Sequence, residues 1–164
     1  MDNYADNEHL KAHCPLQSSF FKELILRNDP NHKIVIYDTY NPKFNSLDFK
    51  NFDAFMWTGG LGNIYEINDF NKRQLNIAEK ILMLDKPIWA SCWGLQVFVT
   101  VYGGKISNSS NPEFGYSSNI KILKNSYVYK NKLDKFSAPG HHYDSIETLP
   151  NELQVIAENS FSIQ

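Results

Sequence analysis

Short apolar runs alternate with longer segments of helical periodicity along the first part of this 164-residue chain. Three of the runs are rich in branched or aromatic residues and are bounded by polar or turn-forming residues, a pattern typical of buried strands. These predicted strands are 33–37 (KIVIY), 54–57 (AFMW) and 88–91 (IWAS). Strands that alternate with helices form a mostly parallel sheet with helices on both faces. We therefore expect a three-layer α/β fold.

Apolar residues spaced three and four apart predict three helices. The first covers 7–27, with Pro15 either breaking or beginning it, and its apolar positions are Leu10, Leu16, Phe20, Phe21, Leu24 and Ile25. The second begins after Asn68, a good capping residue, and ends near Asp85; its apolar positions are Leu75, Ile77, Ala78, Ile81 and Leu82. The third covers 95–102 and is closed by Gly103 and Gly104.

The segment after Gly104 predicts antiparallel structure. Residues 120–123 and 127–129 are strand-like runs on either side of Lys124-Asn125-Ser126, which is typical of a hairpin, and 153–157 is a further short strand. We expect a small antiparallel appendage behind the third helix. Because the chain has no repeat, low-complexity tract or linker, we expect one domain spanning residues 1–164.

Composition narrows the classes of function. A formal net charge of -2 gives no electrostatic reason to expect nucleic acid, and no apolar run approaches the length of a membrane span. The polar N-terminus lacks the pattern of a secretion signal, and Cys14 and Cys92 make a weak case for a disulfide. We expect a cytoplasmic protein that binds neither nucleic acid nor a membrane.

Cys92 is the leading candidate for chemistry. It follows the apolar run 88–91, precedes Gly94 by two positions and stands before an apolar helix, which is the layout of a nucleophile elbow. Such a turn exposes the sulfur, directs the first helix amides at the reaction centre and favours the thiolate. The alternative is a small buried hydrophobic residue without reactivity.

Gly59-Gly60-Leu61-Gly62 follows the second predicted strand, so it lies at the same sheet edge as Cys92, where parallel sheets bind ligands. Three interpretations stay open. A phosphate loop lacks the expected G-x-G-x-x-G or Lys-Ser/Thr signature, and a plain tight turn needs no function. In the third, the amides of Gly60 and Trp93 form an oxyanion hole around a carbonyl that Cys92 attacks.

Gly140-His141-His142-Tyr143-Asp144 is the histidine cluster of the sequence. Adjacent histidines on a strand point to opposite faces and no third strong ligand stands nearby, so we expect no metal site. A loop residue that bonds substrate or a neighbouring turn is the preferred interpretation. His9, His13 and His32 lie in polar surroundings and are expected at the surface.

Four segments, taken in order, resemble the class I glutamine amidotransferase family, whose members use a Cys-His-Glu triad. They are 56–62 (MWTGGLG), 87–104 around CWGLQ, 111–115 (NPEFG) and 142–150 (HYDSIETLP), the last similar to the family's H-x-D-x-V-x-x-L-P. The likeness covers roughly residues 30–164. It implies the flavodoxin-like sheet of that family, with the antiparallel appendage described above.

The resemblance also implies roles for individual residues. Cys92 matches the nucleophile, and the amides of Gly60 and Trp93 match the oxyanion hole. The residues that it implies hold the substrate are Gly62, Gln96 and His142. His142 matches a family histidine that is not the triad base. The resemblance implies no metal and no cofactor.

Three departures from the family pattern change what we expect of the domain and its catalytic residues. The family's G-x-C-x-G is A-S-C-W-G here, and its H-x-E motif would follow Gln164. The apolar first strand of the family has no counterpart before the first predicted helix. We expect an incomplete domain, clipped at both ends, that lacks the catalytic His and Glu; His141 or His142 as a substitute base is a minor alternative. Exposed sheet edges would favour a homodimer.

The expected function is hydrolysis of the glutamine side-chain amide to glutamate and ammonia through a cysteine thioester, with an ammonia-accepting synthetase as partner. A γ-glutamyl peptidase or hydrolase shares this chemistry and differs in the leaving amine. A non-catalytic glutamine-binding module is the third alternative, since the sequence has no H-x-E motif. A flavodoxin-like nucleotide binder is the most distant.

Overall fold

The computed structural model describes residues 16–39, 48–124, 127–131 and 133–163. The chain divides into two compact units, Met1–Val101 and Tyr102–Gln164. The elements of the first unit are α1 (Gln17–Asn28), β1 (Phe55–Trp57), α2 (Asp69–Leu82), β2 (Ile88–Ala90) and α3 (Trp93–Val101), with a 3₁₀ turn at Phe49–Asn51. Those of the second unit are β3 (Lys105–Ile122), β4 (Lys135–Thr148) and β5 (Ala157–Glu158), with a 3₁₀ turn at Tyr127–Tyr129.

A parallel pair of strands organises the first unit, as the sequence predicts. β1 and β2 run side by side, with Phe55 opposite Ile88 and Trp57 opposite Ala90. The core beneath them is aromatic and aliphatic: the rings of Trp57 and Phe98 meet edge to face with centroids 5.4 Å apart. Two of the three predicted strands are therefore confirmed, each within one residue of its expected ends.

The predicted strand at 33–37 is wrong. Within the described part of the first unit this segment forms no strand, and only Asp38 beyond it makes a single bridge. Val35 and Ile36 remain exposed. β-Branched residues favour a strand mainly because their side chains pack against neighbours on a sheet. No described strand pairs with this segment, so Val35 and Ile36 have no such neighbours.

The helices match the prediction in position more closely than in burial. α1 begins at Gln17, and the rest of the predicted segment, with Pro15 and Leu10, lies outside the described residues. Its expected apolar face is largely exposed, since Phe20 and Leu24 keep more than half of their surface in solvent. Ser18 is the buried residue of this helix.

α2 follows the predicted cap and core pattern. The Asn68 side chain accepts the Asn71 backbone N–H at 2.8 Å, which satisfies a donor of the first turn. Ile77, Ala78 and Ile81 are buried, as expected, whereas Leu75 and Leu82 are half-buried. None of the helices in the described stretches is long and apolar enough to cross a bilayer.

The second unit is an antiparallel ribbon, which confirms the predicted appendage but corrects its details. β3 pairs with β4 from Lys105 opposite Thr148 to Lys121 opposite Lys135, with interruptions in register. Residues 120–122 are thus the end of one long strand, and Tyr127–Tyr129 is a 3₁₀ turn, not a strand. The ring of Tyr127 is exposed and does not pack on the sheet. The predicted strand at 153–157 begins only at Ala157.

The polar composition of β3 and β4 explains why the sequence pattern did not predict their length. Three of the five buried positions of β3 are polar, namely Ser109, Glu113 and Ser117, so the alternation of apolar and polar residues that marks a strand is weak. The histidine cluster lies on β4, not in the predicted loop. A backbone ladder with bulges holds this ribbon together, and the pairing partner of each residue is set by tertiary contact rather than by local preference.

Candidate active site

Cys92 stands at a sharp turn between β2 and α3. Its φ is 49°, a left-handed conformation that residues other than glycine rarely adopt. Its carbonyl accepts the Gln96 N–H at 3.0 Å, so it closes the first turn of the helix while its own side chain is exposed. A strained residue held by regular structure on both sides is typical of a functional site. The elbow predicted from the sequence is confirmed as a strand–turn–helix.

The turn is held against β1 by close backbone packing. The Ser91 N–H donates to the Trp57 carbonyl at 3.0 Å, and a Cβ added to Gly94 would lie 2.9 Å from that same carbonyl oxygen. Only glycine fits at this approach. The second glycine of the elbow motif is therefore explained by the contact between α3 and β1.

The helix directs its first amides toward the turn. Gly94 donates to the Ser91 carbonyl at 2.9 Å, whereas the Trp93 amide donates to none of the residues that the structure describes. Helix amides at this end carry partial positive charge and favour an anion nearby. The structure thus places the N-terminus of α3 beside Cys92, at the position where the sequence predicts an oxyanion donor.

The glycine loop after β1 borders the cysteine. A Cβ built on Gly59 would lie 3.4 Å from the Cys92 Cβ, so the two backbones approach closely. Gly62 has φ +119°, and a Cβ there would lie 3.4 Å from the indole ring of Trp93. The loop thus contacts both the cysteine and the first helical residue. A tight turn alone does not require this contact, which favours the oxyanion-hole interpretation of Gly60.

Gln17 is a site neighbour that the sequence analysis missed. Its side-chain oxygen Oε1 accepts the Gly59 backbone N–H at 2.7 Å, across 42 residues of sequence. A single glutamine at the start of a helix belongs to no sequence motif that predicts this contact. The resemblance implies that Gln96 holds the substrate. This residue lies one helical turn after Cys92, on the same side of α3, and is half-buried.

His142 lies in a hydrogen-bonded cluster of the second unit. Its Nε2 is 3.0 Å from the Glu113 carboxylate and its Nδ1 is 3.1 Å from the Asp144 carbonyl oxygen. Both partners lie within hydrogen-bond distance of a ring nitrogen, one on each side of the imidazole. These contacts hold the imidazole within the second unit. No group of potential metal ligands is found among the described residues.

Glu113 is the centre of that cluster. Its carboxylate is buried and also accepts the Asn159 side-chain N–H at 2.6 Å and the Ser162 hydroxyl at 2.8 Å. Burial by itself raises the pKa of the Glu113 carboxyl, but the hydrogen bonds that it accepts, above all from Ser162, outweigh burial and hold the pKa below its usual value. The cluster joins β3 and β4 to the turn after β5.

Comparison with known proteins identifies the family. The model of the glutamine amidotransferase class-I family matches residues 2–164. The chain belongs to this family. The turn at Cys92 lies at the end of β2 and before α3.

Two relatives and one solved structure show how far the likeness of this chain extends. A GMP synthase [glutamine-hydrolyzing] from Methylobacillus flagellatus is 31% identical over 137 residues, which are 79% of this chain and 24% of that protein. A gamma-glutamyl-L-1-hydroxyisopropylamide hydrolase from a Pseudomonas species is 27% identical, over 69% of this chain and 41% of that protein. The crystal structure of a glutamine amidotransferase from Thermotoga maritima superposes with a TM-score of 0.75 at 21% identity, covering 88% of this chain and 63% of that one.

These comparisons confirm the predicted α/β fold with its antiparallel appendage. The chain spans about a quarter of the length of the GMP synthases that it matches. The structure brings Cys92, the glycine loop and the first turn of α3 together in the first unit, while His142 belongs to the second. The roles of Cys92, Gly60, Trp93, Gly62, Gln96 and His142 stay predictions.

A substitution of Glu113 tests how much its carboxylate stabilises the second unit. We expect Glu113→Gln to lower its free energy of unfolding by about 2 kcal/mol at neutral pH, because an amide group replaces a carboxylate that accepts several hydrogen bonds. A lowered folded pKa means that the carboxylate stabilises the fold above the usual glutamate pKa and loses this effect as the pH falls through the folded pKa. The difference between wild type and variant should therefore shrink below about pH 4.

Hydrogen exchange of the β3 and β4 amides, corrected for the intrinsic effect of pH, measures this difference within the second unit. Glu158→Gln is the matched control, since Glu158 is exposed on β5. The control should match wild type at every pH. A Glu113→Gln effect that stays constant on acidification would contradict the role given to the charge.

Proposed function

We propose that the chain hydrolyses the side-chain amide of glutamine through a thioester on Cys92. The observation that carries the proposal is the exposed Cys92 at φ 49°, between a parallel strand and a helix N-terminus and beside a glycine loop. Membership of the family supports the same chemistry. Because the chain spans only part of its relatives, activity, substrate and partner are stated here as proposals.

The proposed acylation step uses groups of the first unit. The Cys92 thiolate attacks the side-chain carbonyl carbon of glutamine, forming a C–S bond and a tetrahedral oxyanion. The amides of Trp93 and Gly60 donate to that oxyanion. The C–N bond then breaks, the C=O bond re-forms, and the nitrogen takes up a proton from water and leaves as ammonia.

Hydrolysis of the thioester completes the cycle. Water attacks the same carbon, the C–S bond breaks, and glutamate and the cysteine thiol are released. We propose that Gly62 and Gln96 hold the substrate beside Cys92, since Gly62 contacts Trp93 and Gln96 follows Cys92 by one turn. Contact of His142 with substrate stays a prediction.

Acylation can be tested without a general acid by using an activated γ-glutamyl ester with a nitrophenolate leaving group. This group leaves without a proton, so the step depends on the nucleophile and the oxyanion hole. We expect a burst of nitrophenolate equal to the amount of chain, and a γ-glutamyl mass increment on Cys92. A modified Cys14, or no adduct at all, would contradict the proposal.

A γ-glutamyl amide hydrolase is the second candidate, favoured by the relative of that name. The chemistry is common to both candidates, so the leaving amine decides between them. Release of ammonia from glutamine and of alkylamine from a γ-glutamyl alkylamide should be measured side by side. Faster release of the alkylamine would favour the second candidate. Binding of glutamine without any adduct would favour a non-catalytic module.

The length of the relatives supports a proposal about the partner, and the composition supports one about the location. GMP synthases are about four times as long as the matched segment, and this ratio supports an ammonia-accepting synthetase as a fused domain or a separate partner. We propose a cytoplasmic location, supported by the small number of cysteines. Self-association stays a prediction.

A further inference from the structure

Gln17 joins the start of α1 to the glycine loop. It is the first residue of the helix, and its Oε1 accepts the Gly59 N–H at 2.7 Å. This distance is at the short end for a bond between an amide and a carbonyl oxygen. The contact links two segments of the first unit that are far apart in sequence.

The same contact lies beside the cysteine. A Cβ built on Gly59 would lie 3.0 Å from Gln17 Oε1, 3.2 Å from Gln17 Nε2 and 3.4 Å from the Cys92 Cβ. The carboxamide of Gln17 and the Cys92 side chain therefore border the same glycine. No larger residue at position 59 would leave both in place.

Anchors before the Gly60 peptide restrict the loop. The Trp57 carbonyl accepts the Ser91 N–H, and the Gly59 N–H donates to Gln17. The next amide along the chain belongs to Gly60, the proposed oxyanion donor. Two consecutive glycines have wide conformational freedom, so a bond that holds the first also restricts the direction of the second amide.

We infer that Gln17 is a positioning residue, which holds the glycine loop so that the Gly60 amide is oriented for the oxyanion. This inference rests on the proposed function. Gln17 acts through the loop and does not itself stabilise the reacting atoms. An oxyanion donor that is oriented before the reaction stabilises the transition state without a cost of reorganisation.

The opposite interpretation is competition with substrate. Gln17 carries the same carboxamide group as glutamine, so it would occupy the substrate position if it bonded the oxyanion donors. The structure instead bonds it to Gly59, an amide outside the proposed pair of Gly60 and Trp93. This choice of donor favours positioning, and the two interpretations predict opposite effects on catalysis.

The test uses Gln17→Met, which keeps the length of the side chain and removes the acceptor. Single-turnover acylation by the activated γ-glutamyl ester gives both the acylation rate and the half-saturating concentration of ester. We expect the rate to fall about tenfold and the half-saturating concentration to change by less than about twofold. Alkylation of Cys92 by iodoacetamide, which needs no oxyanion hole, should proceed at the wild-type rate.

Gln17→Glu provides rescue. Its carboxylate can accept the Gly59 N–H at the same reach, so the acylation rate should return to within about threefold of wild type at high pH. The added negative charge near the sulfur disfavours the thiolate, so the pH profile of acylation should move upward. This shift reports only that the new charge lies near the sulfur, whereas recovery of the rate at high pH supports the positioning role, and a rate as low as that of Gln17→Met at every pH contradicts it.

Gln154→Met is the matched control, because Gln154 Oε1 also accepts a hydrogen bond, from Lys124 at 2.8 Å, but on the second unit. It should acylate like wild type. An unchanged acylation rate in Gln17→Met would overturn the positioning role. Faster acylation that saturates at a lower ester concentration would also overturn it, and would favour competition with substrate. If wild type and Gln154→Met form no γ-glutamyl adduct, the proposed function fails, and the positioning role fails with it.

Discussion

Cys92→Ala will abolish formation of the γ-glutamyl adduct, because no other described side chain stands at the elbow with its reactive atom exposed beside the glycine loop. In cysteine and serine hydrolases, loss of the nucleophile costs roughly four to six orders of magnitude in rate. We expect the nitrophenolate burst to disappear and the remaining release to equal the spontaneous hydrolysis of the ester. Stopped-flow absorbance and the intact mass of the chain measure the two effects.

Two further variants give this prediction its controls. Ser91→Ala removes the neighbouring hydroxyl and should leave the burst intact, which assigns the nucleophile to Cys92 rather than to the residue before it. Cys92→Gly should be inactive yet at least as stable as wild type, because glycine adopts φ 49° without strain. A burst in Cys92→Ala, or its loss in Ser91→Ala, would overturn the assignment.

Gly94→Ala should destabilise the first unit although alanine favours helices. In an open helix this substitution stabilises by up to about 1 kcal/mol. Here the new Cβ would lie 2.9 Å from both the Cβ and the carbonyl oxygen of Trp57, which is fully buried. Overpacking of this kind costs about 1–3 kcal/mol, so we expect a net loss of about 2 kcal/mol in the free energy of unfolding.

The same substitution should impair acylation. The carbonyl that the new methyl group displaces accepts the Ser91 N–H, so the strand end that carries Cys92 must shift with it. Urea unfolding followed by tryptophan fluorescence reports the first unit, since all three tryptophans lie there. We expect the midpoint and the acylation rate to fall together.

Gly103→Ala is the matched control for Gly94→Ala. A Cβ at Gly103 meets nothing within 4 Å, but its φ is +83°, so this variant measures backbone strain without a clash. We expect it to lose about 1 kcal/mol and to keep its acylation rate. Equal losses in the two variants would show that the close approach of α3 to β1 is not the reason for glycine at position 94.

Local patterns were sufficient to predict the elements that hold the cysteine. The apolar runs at 54–57 and 88–91 mark β1 and β2, and Asn68 marks the cap of α2, because these signals depend on residues close in sequence. The order of strand, cysteine, glycine and helix was enough to place Cys92 on a sharp turn. The strand predicted at 33–37 failed because a strand also needs a partner, which local sequence does not supply.

The sequence by itself determined the parallel strand pair, the helix that follows each strand and the turn that exposes Cys92, since short-range spacing controls all three. Tertiary structure alone decided that Gln17 bonds Gly59, that Gly94 lies against Trp57 and that Glu113 collects His142, Asn159 and Ser162. Each of these contacts joins residues between 29 and 49 positions apart. No local conformational preference can select partners at such separations. Their partners are chosen when packing brings distant backbone and side chains within hydrogen-bond or van der Waals distance.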